Sequence, residues 1–137
     1  MQAAILRIKL QHLESYHQLR QQAAAWYDAR LSGIKGLQVP ARSKFTTHIF
    51  HQYTLKLAAD QRDGLKAWLQ ERQVPSMIYY PVPLHLQHAY RDLGYQEGDM
   101  LVSEALSRQV LSLPMHTELS EEQLNYITDQ IRSFFKK

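Results

Sequence analysis

Apolar side chains recur at spacings of mostly three and four along the first 31 positions. Ile5, Ile8, Leu13, Tyr16, Leu19, Ala23, Trp26, Tyr27 and Leu31 form the series, with Lys9, Glu14, Arg20 and Asp28 between them. This period predicts one long amphipathic helix over residues 2–31. No proline or glycine interrupts it before Gly33, which with Gly36 supplies a C-terminal stop. Its start is unusual. No Ser, Thr, Asp or Asn precedes the first periodic residue, and the chain opens Met1-Gln2-Ala3-Ala4-Ile5. Such an opening fits a helix cut from something longer, or equally a terminal helix that frays.

After a loop over residues 35–43 the period changes to two. Ile49, His51, Tyr53, Leu55 and Leu57 alternate with His48, Phe50, Gln52, Thr54 and Lys56, which predicts a strand over 45–57. Asp60 is expected to cap a helix running to about residue 72, with Leu65, Trp68 and Leu69 on its buried face. Residues 76–80 predict a second strand, which Pro81-Val82-Pro83 extends into a rigid loop. Short helices follow over 84–93, closed by Gly94, and over 99–108, capped by Asp99; residues 110–113 predict a third strand. In the last helix Ser120 and Gln123 form a capping box, flanked by Leu119 and Leu124 as its hydrophobic staple. Glu121 and Glu122 at one end and Lys136 and Lys137 at the other complement the helix dipole. Leu124, Ile127, Ile131 and Phe134 make its inner stripe. The fold class is α+β: a long N-terminal helix leading into a small sheet of about three strands covered by helices.

Composition narrows the function classes. A chain of 137 residues supports one domain with its own core. Sixteen Lys+Arg against 13 Asp+Glu leave a net charge of +3. That excess, without a Lys/Arg stripe, argues weakly for nucleic acid. No uninterrupted run of about 18 apolar residues suggests a membrane span, and no signal peptide is readable. The absence of cysteine removes disulfides and thiolate chemistry and fits a reducing cytoplasm. Eight tyrosines and seven histidines are the unusual counts.

Two clusters concentrate them. In His48-Ile49-Phe50-His51-Gln52-Tyr53, strand alternation would put His51 and Tyr53 on one face with Ile49. A zinc site fits poorly, because His48 and His51 would point to opposite faces and no further ligands complete the set. In Ile78-Tyr79-Tyr80-Pro81-Val82-Pro83-Leu84-His85, two phenols, a proline-spaced loop and an imidazole can present hydrogen-bonding groups at a pocket rim. A solvated sheet face and a packed aromatic turn are the alternatives for the two clusters. No phosphate-binding glycine loop, serine nucleophile elbow or paired-carboxylate motif is present.

The run Tyr79-Tyr80-Pro81-Val82-Pro83-Leu84-His85-Leu86-Gln87, followed by Ala89-Tyr90 and Leu93-Gly94-Tyr95, resembles the C-terminal region of the DegT/DnrJ/StrS family. These are pyridoxal-phosphate-dependent sugar aminotransferases of the aspartate-aminotransferase fold. The resemblance continues through Ala105-Leu106-Ser107, Val110-Leu111-Ser112-Leu113-Pro114-Met115 and Leu119-Ser120-Glu121-Glu122-Gln123. Gln2-Ala3-Ala4-Ile5-Leu6 and His51-Gln52-Tyr53 match at the front, so it covers essentially the whole chain.

The resemblance implies an architecture and a division of labour. Residues 1–36 would be an interdomain or interface helix, and 37–137 the small C-terminal domain with a mainly antiparallel sheet. The lysine that holds the cofactor, the aspartate facing its pyridine nitrogen and the phosphate-binding residues lie upstream of this region in the family. This chain alone is therefore expected to bind no pyridoxal phosphate and not to transaminate. Tyr79, Tyr80 and His85 are implied as sugar- or phosphate-facing groups toward a nucleotide-sugar substrate, with His51 and Tyr53 as further candidates. A stand-alone sugar-nucleotide-binding or protein-interaction module is the alternative. Self-association through the apolar face of the first helix is also expected. Three positions depart from the family pattern: His88 for a frequent proline, Met100-Leu101 for Phe-Pro, and Gln73 for a helix-ending glycine. Gln73 should weaken that helix stop by up to about 1 kcal/mol if its backbone is left-handed.

Overall fold

The computed structural model describes residues 2–136. Its centre is a three-stranded antiparallel sheet in the order β1 (Leu37–Gln38), β2 (Tyr53–Leu57), β3 (Val110–Leu113). Leu37 pairs with Leu57 on one side of β2, while Tyr53 and Leu55 pair with Leu113 and Leu111 on the other. The period-two pattern holds inside β2, where Tyr53, Leu55 and Leu57 are buried and Lys56 is exposed. On the opposite face the hydroxyls of Thr54 and Ser112 meet at 2.8 Å across the strand pair.

Helices α2 (Leu13–Leu31), α3 (Ala59–Glu71), α4 (Leu101–Gln109) and α5 (Glu121–Phe135) surround this sheet. Ala23, Ala24, Tyr27 and Leu31 of α2, Leu65 and Leu69 of α3, and Leu124, Ile127 and Ile131 of α5 share one core with the strands. Arg30 locks α2 to α5, donating from Nε to the Thr128 hydroxyl at 2.7 Å and pairing with Asp129. The capping box at Ser120 and Gln123 forms in both directions. Among the described residues no helix is long and apolar enough to cross a membrane.

The single long helix expected over 2–31 is two, α1 (Gln2–Leu10) and α2. Gln11 and His12 close tighter turns on Ile8 and Lys9, and the Ser15 hydroxyl donates to the His12 carbonyl at 2.8 Å. Serine back-bonding of this kind bends helices. No residue of α1 is buried, so no packing holds the two segments in line.

The strand expected over 45–57 begins only at Tyr53. Phe50 has φ +48 and turns inward to a buried position, with the Arg42 guanidinium 4.1 Å above its ring. Arg20 fixes the turn, donating to the carbonyls of Phe50, His51 and Met115. The second strand expected, at 76–80, is one bridge, Met77 to Ser112, and the sheet takes β1 instead from a segment expected to be loop. Neither Asp60 nor Asp99 caps its helix: α3 starts after Ala58, and the Asp99 carboxylate accepts from the Gln96 amide. The helix expected at 84–93 is two 3₁₀ turns, Leu84–Leu86 and His88–Leu93, closed by Gly94 at φ +79.

Helix α3 stops in a Schellman turn: the Val74 amide reaches the Leu69 carbonyl at 2.9 Å and the Gln73 amide reaches Gln70. Val74 and Leu69 are both buried, as that motif prefers. Gln73 occupies its left-handed position at φ +58, with a Cβ the position disfavours. Gln73→Gly is therefore expected to raise unfolding stability by about 0.5–1 kcal/mol. Urea denaturation checks this as a higher midpoint at unchanged slope; an unchanged or lower midpoint refutes the strain.

Candidate functional site

The rigid loop after Met77 presents the candidate side chains. Ser112 holds Met77 at both its amide and carbonyl, so the chain leaves the edge of β3 in a fixed direction. Pro81 and Pro83 then keep it extended. Tyr79 and Tyr80 project from this segment with ring centroids 5.9 Å apart, edge to face, and Tyr80 is 70% exposed. Both border a hollow of about 530 Å³ whose far wall is Ser103, Leu106 and Ser107 of α4. Tyr79 also lines a smaller cleft of about 190 Å³ with His51, Ser76 and Met115.

The structure thus brings Tyr79 together with Tyr80 on one side and with His51 on the other. Tyr53 is placed elsewhere. It is fully buried, and its hydroxyl donates to Asp28 at 2.7 Å. Burial, reinforced by that carboxylate, pushes its phenol far above the ordinary tyrosine range. Tyr53 therefore supports the cleft from the core and does not reach its rim.

His85 is also withdrawn from solvent, its side chain 7% exposed against 4% for that of Glu104. Its Nε2 lies 3.1 Å from Glu104 Oε1, and its ring stands nearly perpendicular to that of Tyr95, with centroids 6.4 Å apart. The same oxygen accepts from the Gly98 amide at 2.9 Å and the Met100 amide at 3.2 Å. Burial opposes the charge on Glu104, but the two amides and the imidazole outweigh it and hold the carboxyl below the usual carboxylate range. Sequence reasoning missed Glu104, which looks like an ordinary first-turn acid of α4, and Arg20, which looks like a solvated charge on α2. Only the chain's return path supplies their partners.

The donor set does not fit a pyridoxal-phosphate pocket. No described lysine is buried, and the buried polar side chains are Arg62, Glu104, Ser107, Ser112 and Thr128. Arg62 is committed to the Ser107 carbonyl and to Asp63. Among the described residues no lysine is enclosed as an imine to the cofactor would require.

Because Glu104 titrates lower in the folded chain, its contribution is fully present above the ordinary value of 4.5 and is lost as pH falls through the lowered one. The melting-temperature gap between the parent chain and Glu104→Gln is expected to be constant well above pH 4.5 and to close as the pH falls below it, through the lowered value. A gap independent of pH over that range refutes the charged clamp.

Comparison with known proteins gives a consistent result. The profile of the DegT/DnrJ/EryC1/StrS aminotransferase family matches residues 1–132. A protein of Acidithiobacillus ferrooxidans named UDP-N-acetyl-3-dehydro-alpha-D-glucosamine 3-aminotransferase is 42% identical over 96% of this chain and 34% of its own length. A Geobacillus stearothermophilus protein named pleiotropic regulatory protein is 41% identical over 99% of this chain and 37% of its own. Among solved structures, DesV of S. venezuelae, crystallised with a ketimine intermediate, superimposes on the whole chain with a TM-score of 0.95 at 36% identity, covering 36% of that protein. The chain spans about a third of the length of the relatives it matches. With the family profile matching residues 1–132 and the whole chain superimposing on a solved structure at 36% identity, the chain belongs to the DegT/DnrJ/EryC1/StrS aminotransferase family.

Proposed function

We propose that residues 37–137 serve as the small C-terminal domain of a pyridoxal-phosphate-dependent aminotransferase that converts a nucleotide-linked keto sugar to an amino sugar. Residues 1–36, which carry α1 and α2, provide its interface segment, and the reaction takes place in the cytoplasm. The observation that carries this reading is the Tyr79–Tyr80 rim, exposed on a loop fixed at both ends and bordering a hollow of about 530 Å³. Phenol and serine hydroxyls with an apolar wall suit a sugar ring or a base, whose hydroxyls and flat faces need both. His51 and Tyr79 extend the hydrogen-bonding surface along the neighbouring cleft. His85, withdrawn from solvent against Glu104, contributes by holding the loop that carries the two tyrosines. Cofactor binding and proton transfer belong to a lysine-bearing domain that these residues do not replace.

A chimera tests this. Joined to the large domain of a family aminotransferase in place of that enzyme's own C-terminal third, this chain should restore amino transfer to a keto-sugar nucleotide. Tyr80→Phe in the chimera should lower kcat/KM by roughly 5–10-fold, the worth of one hydrogen bond. A folded chimera that binds pyridoxal phosphate but transfers no amine overturns the reading. So does the isolated 137-residue chain forming a borohydride-fixable adduct on one lysine.

Ile5, Ile8, Leu13 and Tyr16 are exposed along α1 and the start of α2, an apolar row that association would cover. The partner is a second copy of the chain, giving a homodimer or larger oligomer. Light scattering is expected to report at least a dimer, and Ile5→Glu with Ile8→Glu should shift it toward monomer. A monomer at high concentration refutes this arrangement.

A further inference from the structure

Residues 79–100 form the long excursion between the edge of β3 and α4. None of them is buried as a whole residue, and their only regular structure is two 3₁₀ turns. A segment this exposed gains little from apolar burial, so polar contacts must determine its position. Within it, the Gln87 amide bonds the Val82 carbonyl and the Asp99 carboxylate bonds the Gln96 amide. Among the described residues, every side-chain hydrogen bond from the excursion to another element ends on one atom, Oε1 of Glu104.

The three partners come from opposite ends of the excursion. His85 enters just after the proline loop, and Gly98 and Met100 enter just before α4. Two backbone amide donors and an imidazole nitrogen converging on one buried oxygen favour an ionised carboxylate, whose charge strengthens each bond. The carboxylate has a second consequence. It can only accept, so His85 Nε2 must carry a proton whether the ring is neutral or charged. Nδ1 is then the one ring nitrogen left to meet a ligand.

We propose that Glu104 is the positioning residue of the tyrosine-bearing loop: its carboxylate pins both ends of residues 85–100 and fixes His85 in the Nε2–H form. The loop's ligand-facing geometry then depends on a residue that touches no ligand. That last consequence rests on the nucleotide-sugar reading above; the pinning itself does not.

The 137-residue chain permits a direct test by NMR. In the unaltered chain at neutral pH, nitrogen shifts of His85 should show a pyrrole-like Nε2, with Nδ1 pyridine-like in the neutral ring. In Glu104→Gln, which keeps the shape and one acceptor oxygen, exchange of the Gly98 and Met100 amides should rise several-fold. In Glu104→Ala it should rise roughly 10–100-fold, the worth of hydrogen bonds to a charged group. Amides of α5 should be unchanged in both, which separates loop release from global unfolding. A pyridine-like Nε2 in the unaltered chain overturns the proposal. So does unchanged Gly98 and Met100 exchange in a folded Glu104→Ala. Titration with a UDP-linked sugar separates the two readings. If the unaltered chain binds and Glu104→Gln binds several-fold more weakly, positioning extends to the ligand. If the unaltered chain does not bind at millimolar concentration, that counts against a ligand surface in the isolated chain, and the exchange and tautomer results still decide the pinning.

Discussion

The fold depends on the contact between two buried tyrosines. Tyr27 of α2 and Tyr53 of β2 pack with ring centroids 4.8 Å apart, both fully buried. Each phenol finds an acceptor outside its own element: Tyr27 the Pro114 carbonyl at 2.9 Å, Tyr53 the Asp28 carboxylate. Burial drives both phenols well above the ordinary range, so they remain donors. One aromatic pair therefore joins the helix, the central strand and the chain leaving β3. Buried hydroxyls with partners give this junction a specific geometry that apolar packing alone would not.

From that junction the order of the outer loops follows. Asp28 also holds Arg42, and Arg42 covers Phe50, whose carbonyl is in turn held by Arg20. Arg20 ties the same turn to Met115, one residue beyond the Pro114 that Tyr27 grips. The His51–Tyr79 cleft lies over this network, so its walls are fixed by charges and rings rooted in α2. The far side of the site has no such apolar root. There a single carboxylate, Glu104, replaces a packed core, and polar contacts hold what burial cannot.

The unequal distribution of exposure has the same origin. The apolar series of the N-terminal segment runs from Ile5 to Leu31, yet only Ala23, Ala24, Tyr27 and Leu31 are buried. The sheet and α5 cover the last turns of α2 and do not extend under α1. Leu84, Leu93, Leu101 and Val102 are likewise exposed on the excursion and the start of α4. Apolar surface in two separate places suits a domain built to pack against other protein surfaces.

Local sequence by itself determined the elements whose signals close within a few residues. The capping box of Ser120 and Gln123, the alternation of Tyr53, Leu55 and Leu57 and the strand at 110–113 all follow from neighbours within about five positions. The tyrosine-proline loop was legible for the same reason, since proline fixes its own backbone. What failed was everything decided by partners distant in the chain. Phe50 left the strand because Arg42 and the core claimed its ring. Residues 76–80 kept one bridge, while Leu37 and Gln38 became a strand because β2 offered them an edge. Tyr53, His85 and Glu104 could not be assigned to rim or interior, because a side chain's exposure depends on what the fold brings against it. Only the tertiary structure could decide that, since burial and charge pairing act between residues separated by tens of positions.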